Sequence, residues 1–508
     1  MQLAKQSLSK LKPVPGLTIP ELKVFDLPEK VLQFGTGVLL RGLPDYFIDK
    51  ANRQGIFNGR VVVVKSTSAG GTNEFEKQGS LYSVCVRGIE DGQKQDEVII
   101  NSSISRVLSA NEDWETILSC AQNPELQIIL SNTTEVGITL VEDDVRLFPP
   151  LSFPGKLLAF LLERYKHFKG SSESGMVIVP TELITDNGTK LRSIVIELAR
   201  MNNLELRFIE WLENANHFCN SLVDRIVPGK LSGNDLHMTE SRLGYKDELM
   251  IMTECFRLWA IESDSERVKQ ILSFTQVDEG AVIAPNIEKF RELKLRLLNG
   301  THTFSCAMAH LAGFGAVREA MGNEFMSSFI HNLAIQEIAH AVSGDLISYA
   351  EACEFAQKVL DRFRNPFLDH QWLSISVQYS SKMRMRNIPV LVRHYEKTNQ
   401  VPEHMALGFA AYLLFMKGVP NANGQYHGIS NASEYIIQDD HAQHIADKWQ
   451  GNEENEIVDN LFSDKEFWGI DLSAFPGFAE EVKSNLRSLV RNGAMATLRR
   501  VQLHKTAV

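Results

Sequence analysis

Six cysteines are scattered through 508 residues without one CxxC pair: Cys85, Cys120, Cys219, Cys255, Cys306 and Cys353. That spacing disfavours a disulfide framework or a zinc site and suits the reduced thiols of a cytoplasm. No uninterrupted apolar run reaches the ~18 residues that a membrane span requires. The opening segment MQLAKQSLSKLKPVPG is basic but lacks the apolar core of a secretory signal. A net charge of −11 argues against nucleic acid or an anionic membrane as the main partner. GxSxG, HExxH and the P-loop pattern are all missing, as are internal repeats and low-complexity tracts. With 44% hydrophobic and 23% charged residues, the expectation is a soluble, cytoplasmic, globular protein. Its length calls for roughly two to four domains.

The N-terminal part reads as α/β. Lys30 to Phe34 is a strand that runs into Gly35-Thr36-Gly37 and then a helical pattern, the opening of a dinucleotide-binding βαβ unit. Leu40 stands where a third glycine is usual. Arg60 to Val64, Leu126 to Leu130 and Met176 to Pro180 are continuous apolar runs of the kind buried on both faces of a parallel sheet. Their polar ends, Lys65-Ser66-Thr67, Ser131 to Glu135 and Thr181-Glu182, fall where such sheets bind ligands. No acidic residue follows the second strand to take ribose hydroxyls, and Lys65 there would also suit a 2′-phosphate. Asp91-Gly92 marks a hairpin within Ser80 to Gln95, and Glu97 to Ile100 reads as a further short strand. From Leu191 onward the pattern turns mainly helical, broken at Phe218 to Pro228, where Asp224-Arg225 reads as a buried structural ion pair.

The segment Lys294-Leu295-Arg296-Leu297-Leu298-Asn299-Gly300-Thr301-His302 carries the most chemistry. At about 100° per residue, Asn299 falls about 140° and His302 about 80° from Lys294 on an α-helix, so all three can address one cleft. A lysine shielded from water serves as an acid or base, an amide holds an oxygen, and an imidazole bonds a neighbouring hydroxyl. Alone, the same residues also fit a solvated lysine with a core histidine, or a Schiff-base nucleophile. Glu337 with His340, and Asp439-Asp440-His441 with His444, have metal-like spacing but lack further ligands in view.

Four segments together resemble the polyol-specific long-chain dehydrogenases, the mannitol dehydrogenase family. They are GTGVLLRG at Gly35 to Gly42, the VDRI signature within Phe218 to Pro228, K-x4-N-x2-H at Lys294, Asn299 and His302, and RFRNP at Arg362 to Pro366. Leu130 to Glu135 and Ala406 to Ala411 are similar to the uronate-reducing branch in particular. The resemblance implies a Rossmann-like nucleotide-binding domain, residues 1–283, followed by a mainly α-helical substrate domain, residues 284–508. It implies metal-free hydride transfer between NAD, with NADP as the alternative, and a small-molecule uronate, with an uncharged polyol as the rival substrate. Lys294 would be the general acid/base, Asn299 would hold the reacting oxygen, and His302 and Asp224 would contact the substrate. Phe34, Gly35, Thr36, Gly37, Lys65, Thr134 and Glu135 would line the cofactor. Polyol dehydrogenases carry a second oxyanion asparagine in a CDN-type turn, whereas this chain has Leu183 there, leaving Asn187 as the substitute. Arg364, Lys382 and Arg384 are the candidates for the uronate carboxylate.

Overall fold

The computed structural model describes residues 1–66, 72–133, 137–430 and 433–504, the last three without their side chains. The chain divides into two units, one of Met1–Gly88 and Lys94–Ile287, the other of Ile89–Gln93 and Glu288–Val508.

The main sheet of the first unit grows from the continuous apolar runs. Strands β1 (Glu29–Phe34), β2 (Arg60–Lys65), β3 (Ile104–Ser109), β4 (Ile128–Ser131), β5 (Val177–Pro180) and β6 (His217–Phe218) are all parallel, in the order 3-2-1-4-5-6. Successive side chains on a strand leave opposite faces, so each face needs its own apolar set. Val31, Val61, Val63, Ile128 and Leu130 enter one core cluster, while Leu32, Phe34, Val62, Val64 and Ile129 enter the other. Helix α1 (Pro44–Arg53) adds Phe47 and Ile48 to the first cluster. Helices α2 (Phe153–His167) and α3 (Asn187–Met201) add Leu157, Phe160, Leu191 and Val195 to the second. This is the doubly wound nucleotide-binding architecture expected from the sequence.

Two expectations are corrected. Glu97 to Ile100 is not a separate strand but part of the second arm of the hairpin, Tyr82–Glu90 and Gln93–Asn101. The arms turn at Asp91 and Gly92 with φ of 51° and 73°, the left-handed pair of a type I′ turn. The chain after Leu191 also keeps forming strands, at Ser221–Asp224, Ile251–Thr253, Leu258–Glu262 and Ala281–Ala284. These apolar runs are too short for periodicity to separate strand from helix.

The second unit is mainly helical and built around α6 (Glu403–Phe415), which follows α4 (Thr301–Leu311) and α5 (Tyr349–Phe363) and precedes α7 (Phe478–Asn492). Nearly every residue of α6 is buried, so it has no solvent face and serves as the axis of the unit. It packs on α4 and α7. Gly408 sets the approach to α4: a Cβ there would stand 2.7 Å from the Phe304 carbonyl oxygen, a backbone atom that cannot swing aside. At the N-terminus of α6, Glu337 accepts the backbone N–H groups of His404 and Met405, each at 2.8 Å, and His404 Nδ1 at 2.7 Å. A carboxylate there complements the helix dipole. Gly408→Ala should destabilise the protein by roughly 1–3 kcal/mol, the usual range for an overfilled core. A thermal melt checks this, and an unchanged Tm would show that the two helices can move apart freely.

Candidate active site

In the first unit, the GxG turn leaves the carboxyl end of β1, between β2 and β4, where the strand order switches direction. Gly35 has φ of +127°, and a Cβ on it would meet Leu40 Cδ1 at 2.9 Å and the Asn132 carbonyl oxygen at 3.2 Å. Leu40, the residue in place of a third glycine, thus closes over Gly35. Gly42 supplies a close contact instead, since its Cβ would lie 2.9 Å from Thr253 Cγ2 and 3.0 Å from Val227 Cγ2. Gly37 is exposed, with nothing within 4 Å of where its Cβ would be. Thr36 is half-buried beside it. A backbone closed in at Gly35 and open at Gly37 fits the pyrophosphate of a dinucleotide. The Phe34 side chain lies in the core, 1% exposed and packed edge-on against Phe153 at 5.2 Å, so that only its backbone faces the GxG turn. Lys65 ends β2 and is mostly buried. Thr134, Glu135 and Thr67 lie outside the described residues.

The polar strand ends around this crevice are tied to one another. Thr133 donates from its backbone N–H (2.8 Å) and hydroxyl (3.0 Å) to Glu182, and Asn132 Nδ2 donates to Thr181. Asn187 is corrected as a second oxyanion donor. Its Nδ2 donates to the carbonyls of Pro180, Glu182 and Ser221, and its Oδ1 accepts the N–H groups of Gly188 and Ser221. The side chain is fully buried, with its amide capacity used to join β5 to the strand Ser221–Asp224. Leu183, by contrast, is 64% exposed.

The Asp224-Arg225 ion pair is also corrected. Adjacent residues leaving a strand point to opposite sides. Arg225 donates to the Gly42 carbonyl at 2.6 Å and twice to the Glu254 carbonyl, at 3.1 and 2.9 Å, with its guanidinium 4.4 Å over Tyr46. Burial pushes its pKa down to about 10. It therefore locks the end of the helix that follows the GxG turn. Asp224 is buried at the end of its strand.

In the second unit, Lys294 and Asn299 lie on a π-helix, Leu293–Gly300, rather than on the α-helix assumed from sequence. Its i→i+5 bonding brings the helix round after five residues, so Asn299 sits within roughly 50° of Lys294 instead of 140°. Both side chains are half-buried. At the passage into α4, the Asn299 carbonyl accepts from Thr303 Oγ1 at 2.7 Å, and the Gly300 carbonyl from Asn387 Nδ2 at 3.4 Å. Arg296 anchors the turn: Nη1 donates to the carbonyls of Met385 (2.6 Å) and Arg386 (3.1 Å), while Nε and Nη2 reach Glu292. Met385 and Arg386 belong to a second π-turn, Met383–Asn387. Burial works against the Glu292 charge, but Arg296 and Arg393 outweigh it and hold the carboxyl below its usual range.

His302, in the first turn of α4, is 9% exposed and lies flat on Phe363, ring centres 4.0 Å apart and planes 16° apart. His370 and Trp372 meet it edge-on at 5.3 and 6.1 Å. The RFRNP segment thus supplies the wall behind the histidine, a role not assigned to Phe363 from sequence. Burial, then the nearby His370, Arg362, Arg386 and Lys382, push the His302 pKa well below its ordinary value, so the ring is neutral near pH 7. Of the residues proposed for a carboxylate, Lys382 is half-buried and donates to the Ile375 carbonyl at 2.8 Å. Arg364 stands 3.5 Å from Asp361 at the end of α5 and is not among the charges acting on His302. Arg384 is exposed. His370 and Arg386 went unread in the sequence, although Arg386 stands four residues after Lys382, on the same helical face if that stretch were an α-helix.

Among the described residues no group of three or more His, Cys, Asp or Glu side chains is placed to hold a metal. Glu337 caps α6, and His444 pairs with Asp464 at 3.0 Å. All six cysteines are free thiols. No helix among the described residues is long and apolar enough to cross a membrane.

Comparison with known proteins places this geometry in context. The family profile of the mannitol dehydrogenase Rossmann domain matches residues 29–272, and that of the mannitol dehydrogenase C-terminal domain matches 286–490. An altronate oxidoreductase of Halalkalibacterium halodurans is 38% identical, covering 93% of each chain. One of Bacillus subtilis is 35% identical, covering 93% of this chain and 95% of its own. Among solved structures, mannitol 2-dehydrogenase of Pseudomonas fluorescens, a ternary complex with NAD and D-mannitol, aligns over 99% of both chains with TM-score 0.65 and 22% identity. A D-sorbitol dehydrogenase aligns over 98% of this chain and 100% of its own, with TM-score 0.77 and 18% identity.

The state of His302 has a consequence for stability. The unfolded chain protonates this histidine near its ordinary value of about 6.5, whereas the folded protein resists doing so. Its contribution is therefore full above that value and lost as pH falls below it. Melting the protein between about pH 7 and about pH 5 should show this loss, and His302→Asn should reduce the slope. An equal slope in the variant would assign the loss to other groups.

Proposed function

Because the chain belongs to the mannitol dehydrogenase family and is an oxidoreductase acting on CH–OH groups, we propose that it interconverts tagaturonate and altronate with NAD(H). The observation that carries this reading is the pair of end-to-end relatives named for altronate oxidation. Leu183, exposed where polyol dehydrogenases carry an asparagine, supports a substrate other than an uncharged polyol. The protein would act in the cytoplasm, in hexuronate (galacturonate) catabolism. Fructuronate reduction and mannitol-type oxidation are the rival activities.

The backbone of Gly35, Thr36 and Gly37 would hold the pyrophosphate, with Lys65 at the ribose end and NADP the alternative to NAD. The nicotinamide, when bound, supplies the hydride to the ketone carbon. Lys294 donates a proton to the ketone oxygen, and takes it back in the reverse direction. Asn299, one π-turn away on the same face, donates to that oxygen through its amide. The ammonium and the amide together stabilise the developing negative charge without a metal. His302, neutral and held flat on Phe363, bonds an adjacent hydroxyl. Asp224 would be a further substrate contact.

The direct test is NADH oxidation by the purified protein with tagaturonate, beside fructuronate and fructose, repeated with NADPH. Turnover with tagaturonate above the others is the expected result, and turnover confined to fructose or fructuronate would replace the substrate. Lys294→Ala should lower turnover by roughly two or more orders of magnitude while NADH affinity stays nearly intact. Near-normal turnover in that variant would remove Lys294 from the mechanism. Borohydride trapping of substrate on the protein, with no need for nicotinamide, would favour a Schiff-base reaction instead.

A further inference from the structure

We propose that Arg386 receives the carboxylate of the acidic sugar and thereby sets the preference for a uronate over its uncharged counterpart. This rests on the uronate reading above and names the group that reads the acid.

Arg386 is half-buried and differs from the buried Arg164, Arg225 and Arg296 in how little of its guanidinium the chain uses. Arg164 donates to three carbonyls, of Ser174, Ala121 and Asn123. Arg225 makes three hydrogen bonds to carbonyls, and Arg296 divides its donors between Glu292 and two carbonyls. A guanidinium has five N–H donors. Arg386 uses one, Nη1 to Thr303 Oγ1 at 3.3 Å, and forms no ion pair among the described residues. Burial alone lowers its pKa, with no carboxylate acting against it. A partly desolvated cation without a counter-charge carries a cost, and an anion arriving from outside the chain offsets it.

Its neighbours tie that anion site to the segment that carries the reacting groups. The Thr303 hydroxyl accepts from Arg386 while donating to the Asn299 carbonyl. One hydroxyl therefore links the guanidinium to the residue that would hold the ketone oxygen, and Thr303 adjoins His302. Lys382 lies one turn before Arg386, and the two charges oppose each other. That repulsion is also relieved by an anion placed between them. The backbone beneath Arg386 is fixed, since Arg296 takes its carbonyl and Asn387 takes that of Gly300. A planar fork on a fixed backbone suits the two oxygens of a carboxylate. The exposed Arg384 and the Asp361-paired Arg364 have neither the desolvation nor the position.

The test measures both binding and turnover of altronate and of altritol, the same carbon chain with an alcohol in place of the acid. It uses the full-length protein and its variants Arg386→Gln, Arg386→Lys and Arg384→Gln. In Arg386→Gln the altronate-over-altritol preference should fall about ten- to hundred-fold, the scale of a charge-assisted hydrogen bond. Arg386→Lys should restore part of it, since the charge returns without the fork. A parallel loss for both ligands would make Arg386 merely structural, and collapse of the preference in Arg384→Gln alone would assign it to the exposed residue. Either result overturns the proposal while leaving the uronate reading in place. If the unaltered protein turns over only uncharged sugars, the uronate reading fails. Altronate binding that depends on Arg386 would then still support the anion site, and no altronate binding would overturn both.

Discussion

The side chain of Arg296 holds the candidate site of the second unit together. It pins the π-turn carrying Lys294 and Asn299 to a second π-turn carrying Arg386, through carbonyls that a regular α-helix would have kept for itself. Glu292 and Arg393 complete the anchor on the other side. The anchor satisfies donors and acceptors on both turns, which favours the wider helix where its own hydrogen-bond geometry is poor. A mechanism that needs Lys294 and Asn299 on one face thus depends on an arginine that touches neither substrate nor cofactor in the proposed scheme.

The sheet of the first unit was readable because its physics is local. Strands buried on both faces must be apolar throughout, and Val61 to Val64 declares that without reference to any distant residue. The site was readable by residue type but not by geometry. Lys294, Asn299 and His302 were identifiable, while a 3.6-residue period spread the first two about 140° apart where the π-helix brings them closer. Nothing in the spacing distinguishes an α-turn from a π-turn, because the cause lies at Met385 and Arg386. Short strands such as Ile251–Thr253 were missed for a similar reason: their partner, the arm Tyr82–Glu90, is distant in sequence.

Asn187 and Arg225 show how polar residues in family motifs divide into two kinds. Both are buried, and both satisfy their hydrogen-bonding capacity on backbone groups of neighbouring segments. They fasten loops near the crevice and have little left to offer a ligand. His302, closely packed, and Arg386, half-buried, are the opposite case, with polar capacity in reserve. Residue type alone does not separate the two kinds, whereas a donor-by-donor account does.

The hairpin tip Ile89–Gln93 belongs to the second unit although the chain on either side of it belongs to the first. Within that second unit, Gly92 N–H donates to Asp361 at 3.1 Å, next to the Arg362-Phe363 pair behind His302. The boundary near residue 287 is therefore not a place where the gene can be cut into two modules. A chimera made by exchanging residues 288–508 between homologues would set the imported Asp361 against the hairpin tip of a different chain. Recombination that respects the fold has to carry the hairpin with the helices, so that the second unit travels as two separate stretches of sequence.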